Sequence, residues 1–167
     1  MTTENKNEIV EVQNQVELVT RENDEFVIVK GVDGKFSRKA KFKNYSSVKA
    51  ETQEEKIWLF NLYEGNEENN NGLKDHVGKI IEVHDVITRQ YDKINEETGA
   101  TEYGVLTYLI TSDKVPYVTS SKTVYFSVTR YFEMFGYPHE DGWKAKFKIG
   151  KQKGQNGDII KVTPVFK

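Results

Sequence analysis

Lysines alternate with apolar residues near the end of the chain, in the sequence WKAKFKI at residues 143–149. Because successive side chains of a β-strand point to opposite faces, the lysines should share one face, while Trp143 lies with the core on the other. A row of ammonium groups suits the phosphates of a polyanion. Two more lysines follow in the glycine-rich stretch 150–157, which we predict to be a loop. The predicted phosphate-binding residues are Lys144, Lys146, Lys148, Lys151 and Lys153.

Aromatic side chains supply the second ingredient of single-strand binding, because rings stack on unpaired bases while cations follow the phosphates. The chain has nine tyrosines. Several lie on predicted strands or beside the loop predicted between residues 91 and 102. The alternative for each ring is a half-buried position in a sheet. The predicted nucleic-acid contacts in this region are Arg89, Tyr91, Lys93, Tyr103, Tyr108 and Tyr117.

A basic stretch before residue 44 is a second candidate. Asp33-Gly34 is a hairpin signal, and the alternation that follows should place Phe36 and Phe42 on one face and lysines on the other. From these lysines we predict that Lys39 and Lys41 continue the nucleic-acid track. The alternative is an ordinary amphipathic strand whose charged edge resists aggregation.

The three histidines each have an acidic neighbour, and two histidines with a carboxylate can bind a metal. One hypothesis is therefore a metal-dependent hydrolase built on Asp75, His76, His84 and Asp85. No HxxxH or HxH spacing is present, and no nucleophile elbow or phosphate loop occurs. The absence of cysteine excludes thiolate metal sites and disulfides. We expect surface histidines, no cofactor, no metal, no catalytic residue and a protein that is not an enzyme.

The charges of the chain are strongly segregated. The net charge of -2 would disfavour nucleic acid, since such binders are usually basic. However, residues 1–34 carry eight acidic and three basic side chains, whereas residues 142–167 carry seven lysines and one acid. A bound polyanion responds to this local potential more than to the sum. No apolar run is long enough for a membrane span, and the start does not resemble a signal peptide, so we expect a cytoplasmic protein without membrane partners.

The first half of the chain is predicted to be an extension. Residues 1–25 have no sustained core pattern and indicate an acidic, flexible tail. Residues 26–72 would contain the hairpin, a helix and a polar linker. Thr52 and Glu55 form the pattern of a capping box at the start of that helix, and Gly65 should end it.

Residues 73–167 are predicted to form the core domain. Three strands come first: a long one over residues 78–91, then 102–111 and 115–118. A helix follows, with Ser121 at its start, Gly136 at its end, and Val124, Val128, Phe132 and Phe135 predicted on its buried face. Two strands complete the order. A helix between the third and fourth of five strands is the layout of the OB-fold, a Greek-key barrel, so the predicted class is mainly β (α+β). A small β-sandwich and an irregular α+β domain are the rivals.

The stretch that runs from VGKIIEVHDVITRQY to SVTRYFEMFG resembles single-stranded DNA-binding proteins of Gram-positive phages and mobile elements. The features are a GKII first strand and a Y-x-T-S-S-K-x-V motif that opens a helix ending in F-G, within residues 52–136. The resemblance implies an OB-fold that coats single-stranded DNA in replication, recombination or transfer. It also places the motif Tyr117–Lys122 next to the binding face, so Lys122 joins the predicted contacts. The chain departs from many such proteins because it lacks an acidic C-terminal tail.

Two functions therefore stand side by side. The first is sequence-tolerant binding of single-stranded DNA, with RNA as a further ligand. The alternative is a protein-interaction module on a small β-barrel that binds no nucleic acid. Valines in residues 1–25 would also allow the tail to add to the sheet of a second copy, which predicts self-association.

Overall fold

The computed structural model describes residues 17–31, 33–65, 71–97, 99, 101–140 and 142–166. This part of the chain holds eleven strands, two helices and one 3-10 turn, which confirms the mainly β class. Neither helix is long and apolar enough to cross a membrane. The predicted tail residues 1–16 and linker residues 66–70 lie outside the described residues. The chain forms two compact units, residues 1–43 with 90–104, and residues 44–89 with 105–167. The predicted domain borders after residues 25 and 72 stay predictions.

The strands assemble into three sheets, with the orders β1-β2-β3, β11-β10-β6 and β4-β7-β8-β9-β5. Their bounds are β1 Glu17–Glu22, β2 Phe26–Gly31, β3 Phe36–Ala40, β4 Tyr45–Ser46, β5 Asn71–Gly72, β6 Ile80–Val83, β7 Asp85–Ile94, β8 Thr101–Ile110, β9 Pro116–Thr119, β10 Ala145–Gly154 and β11 Gly157–Pro164. Helix α1 covers Gln53–Glu64 and helix α2 covers Lys122–Phe135.

The first unit contains the predicted hairpin. The Gly31 amide donates to the Lys35 carbonyl oxygen over 2.8 Å, and the Asp33 carboxylate accepts from the Lys35 amide. Glu17–Glu22, predicted to belong to the tail, instead form β1 and pair with β2, so this part of the prediction is wrong. Its apolar residues alternate too weakly to stand out in the sequence, and they become a strand because β2 offers a free edge.

Helix α1 begins and ends where the sequence predicts. Thr52 and Glu55 form a complete capping box, and Gly65 ends the helix at a φ of 74°, in the left-handed region that glycine adopts without strain. Leu62 is fully buried, and the Trp58 and Tyr63 rings pack in the same cluster. The helix therefore covers a second, smaller core in which Ile87 and Tyr108 also lie.

The long predicted strand at residues 78–91 is divided at His84. The segment before it, β6, pairs with β10, while β7 belongs to the five-stranded sheet. The His84 amide donates to the Ile110 carbonyl oxygen over 2.8 Å. One predicted strand thus contributes to two sheets.

Helix α2 closes the larger core. Ser121 caps it through the Val124 amide, and the Gly136 amide donates to the Phe132 carbonyl at its end, as predicted. Val124, Val128 and Phe132 are buried. Phe135, predicted on the same face, is 62 % exposed, so that prediction is wrong. As the last residue of the helix it packs on the Tyr131 ring, at 4.6 Å between centroids.

The glycine-rich stretch 150–157 is a hairpin rather than the predicted loop. Residues 150–154 continue β10, and Gly154 pairs with Gly157 across a two-residue turn. A Cβ on Gly154 would lie 2.5 Å from Cδ1 of Ile159, so glycine allows the two strands to approach. The two turn residues are Gln155 and Asn156, and Gly157 follows them at a φ of 117°, which glycine adopts without strain. The order of strands and helix after residue 80 matches the prediction, and closure into an OB barrel stays a prediction.

Candidate nucleic-acid interface

The outward face of β6, β10 and β11, here called the lysine face, is defined by Lys146, Lys148 and Lys161. Ala145, Phe147 and Ile149 are buried on the other side of β10, as the alternation predicts. Lys146 and Lys148 are exposed and lie opposite Glu82 and Ile80 of β6. Lys161, which the sequence prediction omitted, is half-buried and pairs with Gly150, on the same face as Lys148.

The other lysines of this hairpin lie elsewhere. Lys151 and Lys153 fall on the opposite side of the pleat from Lys146 and Lys148, because the β10–β11 register has no bulge. The Lys151 ammonium is 3.6 Å from the Asp158 carboxylate. Lys144 is exposed just before β10. Trp143 is half-buried against the core, as predicted. Its Nε1 donates to the Val83 carbonyl oxygen.

A groove of about 620 Å³ runs beside β11, between β9 and the N-terminus of α2. Lys122 and Lys74 line it together with Val118 and Ile160, and both lysines are exposed. The Ser121 hydroxyl donates to the Ile160 carbonyl over 2.7 Å and joins the helix to the strand. Lys122 was predicted, whereas Lys74 stands alone in the sequence and gives no pattern to detect.

Two predicted stacking rings are buried, and this corrects the prediction for both. Tyr108 is 3 % exposed because α1 covers it, and Tyr117 is 5 % exposed in the larger core. Burial raises the pKa of the Tyr108 hydroxyl, which the nearby Arg89 guanidinium partly opposes. The Tyr117 hydroxyl accepts from the Lys79 ammonium over 2.7 Å. Neither ring has an open face on which a base could stack.

Arg89 is exposed and stacks on an aromatic ring that the prediction missed. Its guanidinium carbon lies 4.4 Å from the centroid of Tyr63, and Nη1 donates to the Tyr63 carbonyl. The pair combines a cation with a planar group, as stacking on single strands requires. Tyr63 belongs to α1, so only the tertiary fold brings it to β7.

The predicted contacts Tyr91, Lys93 and Tyr103, in and beside the loop between the first two predicted strands, belong to the first unit. Tyr91 is 37 % exposed, and its ring covers Gly104, where a Cβ would lie 2.2 Å from Cζ. Lys93 is exposed and Tyr103 is half-buried. A glycine inside a strand often marks a close approach of another group. Gly104 is therefore the feature of the sequence that could have indicated that the Tyr91 ring packs here.

Lys39 and Lys41 make contacts within the first unit. The Lys39 ammonium donates to the Thr101 carbonyl over 2.6 Å. The Lys41 ammonium contacts the Glu22 carboxylate at 2.7 Å, and this hydrogen bond raises its pKa. Either residue would have to exchange these partners to reach a phosphate.

The histidines meet in a different set from the predicted one. His76 packs on the Tyr117 ring, whereas His84 and His139 both contact Asp85, at 2.9 and 2.7 Å. These three residues could ligate a metal, but Asp85 also accepts from the Ser47 hydroxyl over 2.7 Å. Burial raises the pKa of Asp85, and hydrogen bonds from His84, Ser47 and His139 outweigh it, so the pKa is lowered. Asp85 thus joins the loop after α2 to β7.

On this mainly β fold, the exposed row of lysines and the arginine stacked on a tyrosine suit a protein that binds a polyanion along its surface. The chain belongs to the family described as "Phage Single-stranded DNA-binding protein", whose model matches residues 37–163. It is 39 % identical over 156 residues to the single-stranded DNA-binding protein of Bacillus phage GA-1, covering 91 % of each chain. No solved structure matches. The predicted resemblance is confirmed, and this membership assigns single-stranded DNA binding in a phage.

Proposed function

We propose that the protein binds single-stranded DNA with little sequence preference through the lysine face and the groove beside β11. The observation that carries this is that the two faces of β10 differ: Phe147 and Ile149 are buried on one, and Lys146 and Lys148 are exposed on the other. Lys74 and Lys122 would follow the phosphates in the groove. The Arg89–Tyr63 pair would stack on a base.

The order of elements along the chain supports this placement. From β6 onward it follows the order predicted for an OB-fold, with α2 between the predicted third and fourth strands, and the predicted long first strand contributes to two sheets. In OB-folds the loop between the last two strands is one of the usual binding elements. The β10–β11 hairpin occupies that position in the chain.

The role would be to coat single strands during phage DNA replication or recombination in the host cytoplasm, with no catalysis required. RNA would bind through the same phosphate and stacking contacts. Strand β1 lies at the edge of its sheet, so residues 1–25 would link copies by strand addition. Val19→Lys, at a position 60 % exposed, should reduce the mass measured by sedimentation without unfolding the protein.

The test of the lysine face is a fluorescence titration with oligothymidine at several salt concentrations. Charge reversal with Lys146→Glu and Lys148→Glu should weaken binding, and it should lower the salt slope by about 0.7 for each phosphate that is no longer neutralised. Lys56→Glu, on the exposed side of α1, is the matched control and should change little. Unchanged binding by the double variant would move the site elsewhere.

Duplex DNA and RNA of equal length complete the experiment. Binding to duplex as tight as to oligothymidine would contradict single-strand preference. Absence of any DNA binding at low salt would favour the protein-interaction module.

A further inference from the structure

One face of the β1–β2–β3 sheet remains without a role, and the register defines it. Ile28 lies opposite Arg38 and Lys30 opposite Phe36, so these four side chains share a face. The opposite face carries Val27 and Val29, which are buried, and Lys39, which is bonded to Thr101. Phe26 is two residues from Ile28 and joins the first face. On β1, Arg21 lies opposite Ile28. This arginine–aromatic face comprises Arg21, Phe26, Ile28, Lys30, Phe36 and Arg38, together with Leu18 opposite Lys30 and Ala40 opposite Phe26.

The side chains of the arginine–aromatic face are arranged as cation–ring pairs. The Arg38 guanidinium carbon lies 4.1 Å from the Phe26 centroid, and the Lys30 ammonium lies 5.9 Å from the Phe36 centroid. Phe36 is 65 % exposed, so the described residues leave most of its ring open to solvent. A guanidinium close to an aromatic ring adds a second planar, positively charged group on which a base can stack.

The charge of this face is of one sign. Arg21, Lys30 and Arg38 are exposed, and among the described strand positions that the register places on this face none is acidic. The carboxylate nearest in the pairing, Glu22, lies opposite Val27 on the other face and is bonded to Lys41. The described part of the face therefore offers planar groups and positive charge together, without a competing anion.

We propose that the arginine–aromatic face is a second contact site for single-stranded DNA, in which a base stacks on Phe36 and another on the Arg38–Phe26 pair while Lys30 and Arg21 neutralise phosphates. The proposal rests on the proposed function and adds to it a site in the first unit. Exposed rings and cations on one sheet face are how single-strand binders combine stacking with electrostatic attraction.

The test compares Phe36→Ala and Arg38→Lys with Ser37→Ala, an exposed position on the opposite face of the same strand. Phe36→Ala should weaken binding to oligothymidine by about fivefold or more, because the variant offers no ring for the base to stack on. Arg38→Lys should weaken binding while it leaves the salt slope unchanged, because the charge remains and the planar group does not. Ser37→Ala should match the wild type. Circular dichroism verifies that each variant folds.

Photo-crosslinking with a bromodeoxyuridine oligonucleotide gives a second readout. The site requires that Phe36 or Phe26 be modified in the wild type, and that Phe36→Ala lose the crosslink to residue 36. Wild-type affinity in Phe36→Ala and Arg38→Lys, while the lysine-face variants lose affinity, would overturn this proposal and leave the proposed function standing. If Phe36→Ala and Arg38→Lys lose self-association but keep their DNA affinity, the proposal is also overturned, because the face would then bind another copy of the protein. If the wild type binds no oligonucleotide, the proposed function itself fails.

Discussion

The hairpins β2–β3 and β10–β11 have similar residue patterns but differ in whether their aromatic rings are exposed. Both alternate basic residues with aromatic or apolar ones, at residues 35–43 and 143–149. In β10 the ring of Phe147 is buried and the lysines are exposed, whereas in β3 Phe36 is exposed and Lys39 is bonded within its unit. Alternation fixes which residues share a face, but the neighbouring elements decide which face is covered.

The largest expected difference between the two hairpins is the effect on stability of removing a phenylalanine ring from each. Phe147→Ala should lower the free energy of unfolding by about 3–5 kcal/mol, because it leaves a cavity in the core. Phe36→Ala should change it by less than about 0.5 kcal/mol, as expected at an exposed position. Chemical denaturation measures both. Equal losses would show that Phe36 has a buried partner.

The turns of the two hairpins use glycine for different reasons, which predicts different rescue. Gly34 has a φ of 80°, and nothing lies within 4 Å of its Cβ position, whereas a Cβ on Gly154 would clash with Ile159. Gly34→Ala should cost about 1 kcal/mol through backbone strain. Gly154→Ala should be destabilising, and adding Ile159→Ala should recover part of the loss, because the Gly157 carbonyl oxygen would still lie 3.0 Å from the new Cβ.

Thermal denaturation of the double variant is the measurement. A double variant less stable than either single one would contradict the steric explanation for Gly154. No second-site change of this kind should restore Gly34→Ala, because its strain lies in its own backbone.

The last comparison concerns the pH dependence of stability, which has opposite signs in the two units. The pKa of Asp85 is lower in the folded than in the unfolded protein. Its contribution to the free energy of unfolding is therefore complete above about pH 4 and is lost as the pH falls through the pKa of the folded state. The pKa of Lys41 is raised in the folded protein, so its contribution is complete below about pH 10 and is lost as the pH rises further.

Unfolding curves across the pH range check these signs. Asp85→Asn should lose part of the acid dependence and cost about 1–3 kcal/mol at neutral pH, because His84, His139 and Ser47 lose their charged acceptor. Glu22→Gln should remove part of the alkaline dependence. Unchanged pH profiles in both variants would contradict the linkage.

The sequence predicted those features that depend on neighbours along the chain. The capping box at Thr52, the ends of α2 at Ser121 and Gly136, and the turn at Asp33-Gly34 are all present, because each is a local hydrogen-bond pattern. The outward row of Lys146 and Lys148 is also correct, since the pleat alone separates it from Phe147. The candidate site was thus partly predictable from one strand.

What failed depends on partners distant in the chain. Tyr108 was predicted to be exposed, but α1 packs over it, and nothing in the sequence near Tyr108 announces that helix. The residues of β1 were predicted to belong to the tail, because their own sequence has no core pattern. They form a strand because they pair with β2.

By itself, the sequence determined the class of fold, the local caps and turns, the segregation of charge and the resemblance to phage single-stranded DNA-binding proteins. The tertiary structure alone decided which aromatic rings are open and which cations are already bonded. The physical reason is that burial and ion pairing arise from contacts between segments far apart in the chain, such as Arg89 with Tyr63 and Lys41 with Glu22. Alternation in one strand carries no information about those contacts.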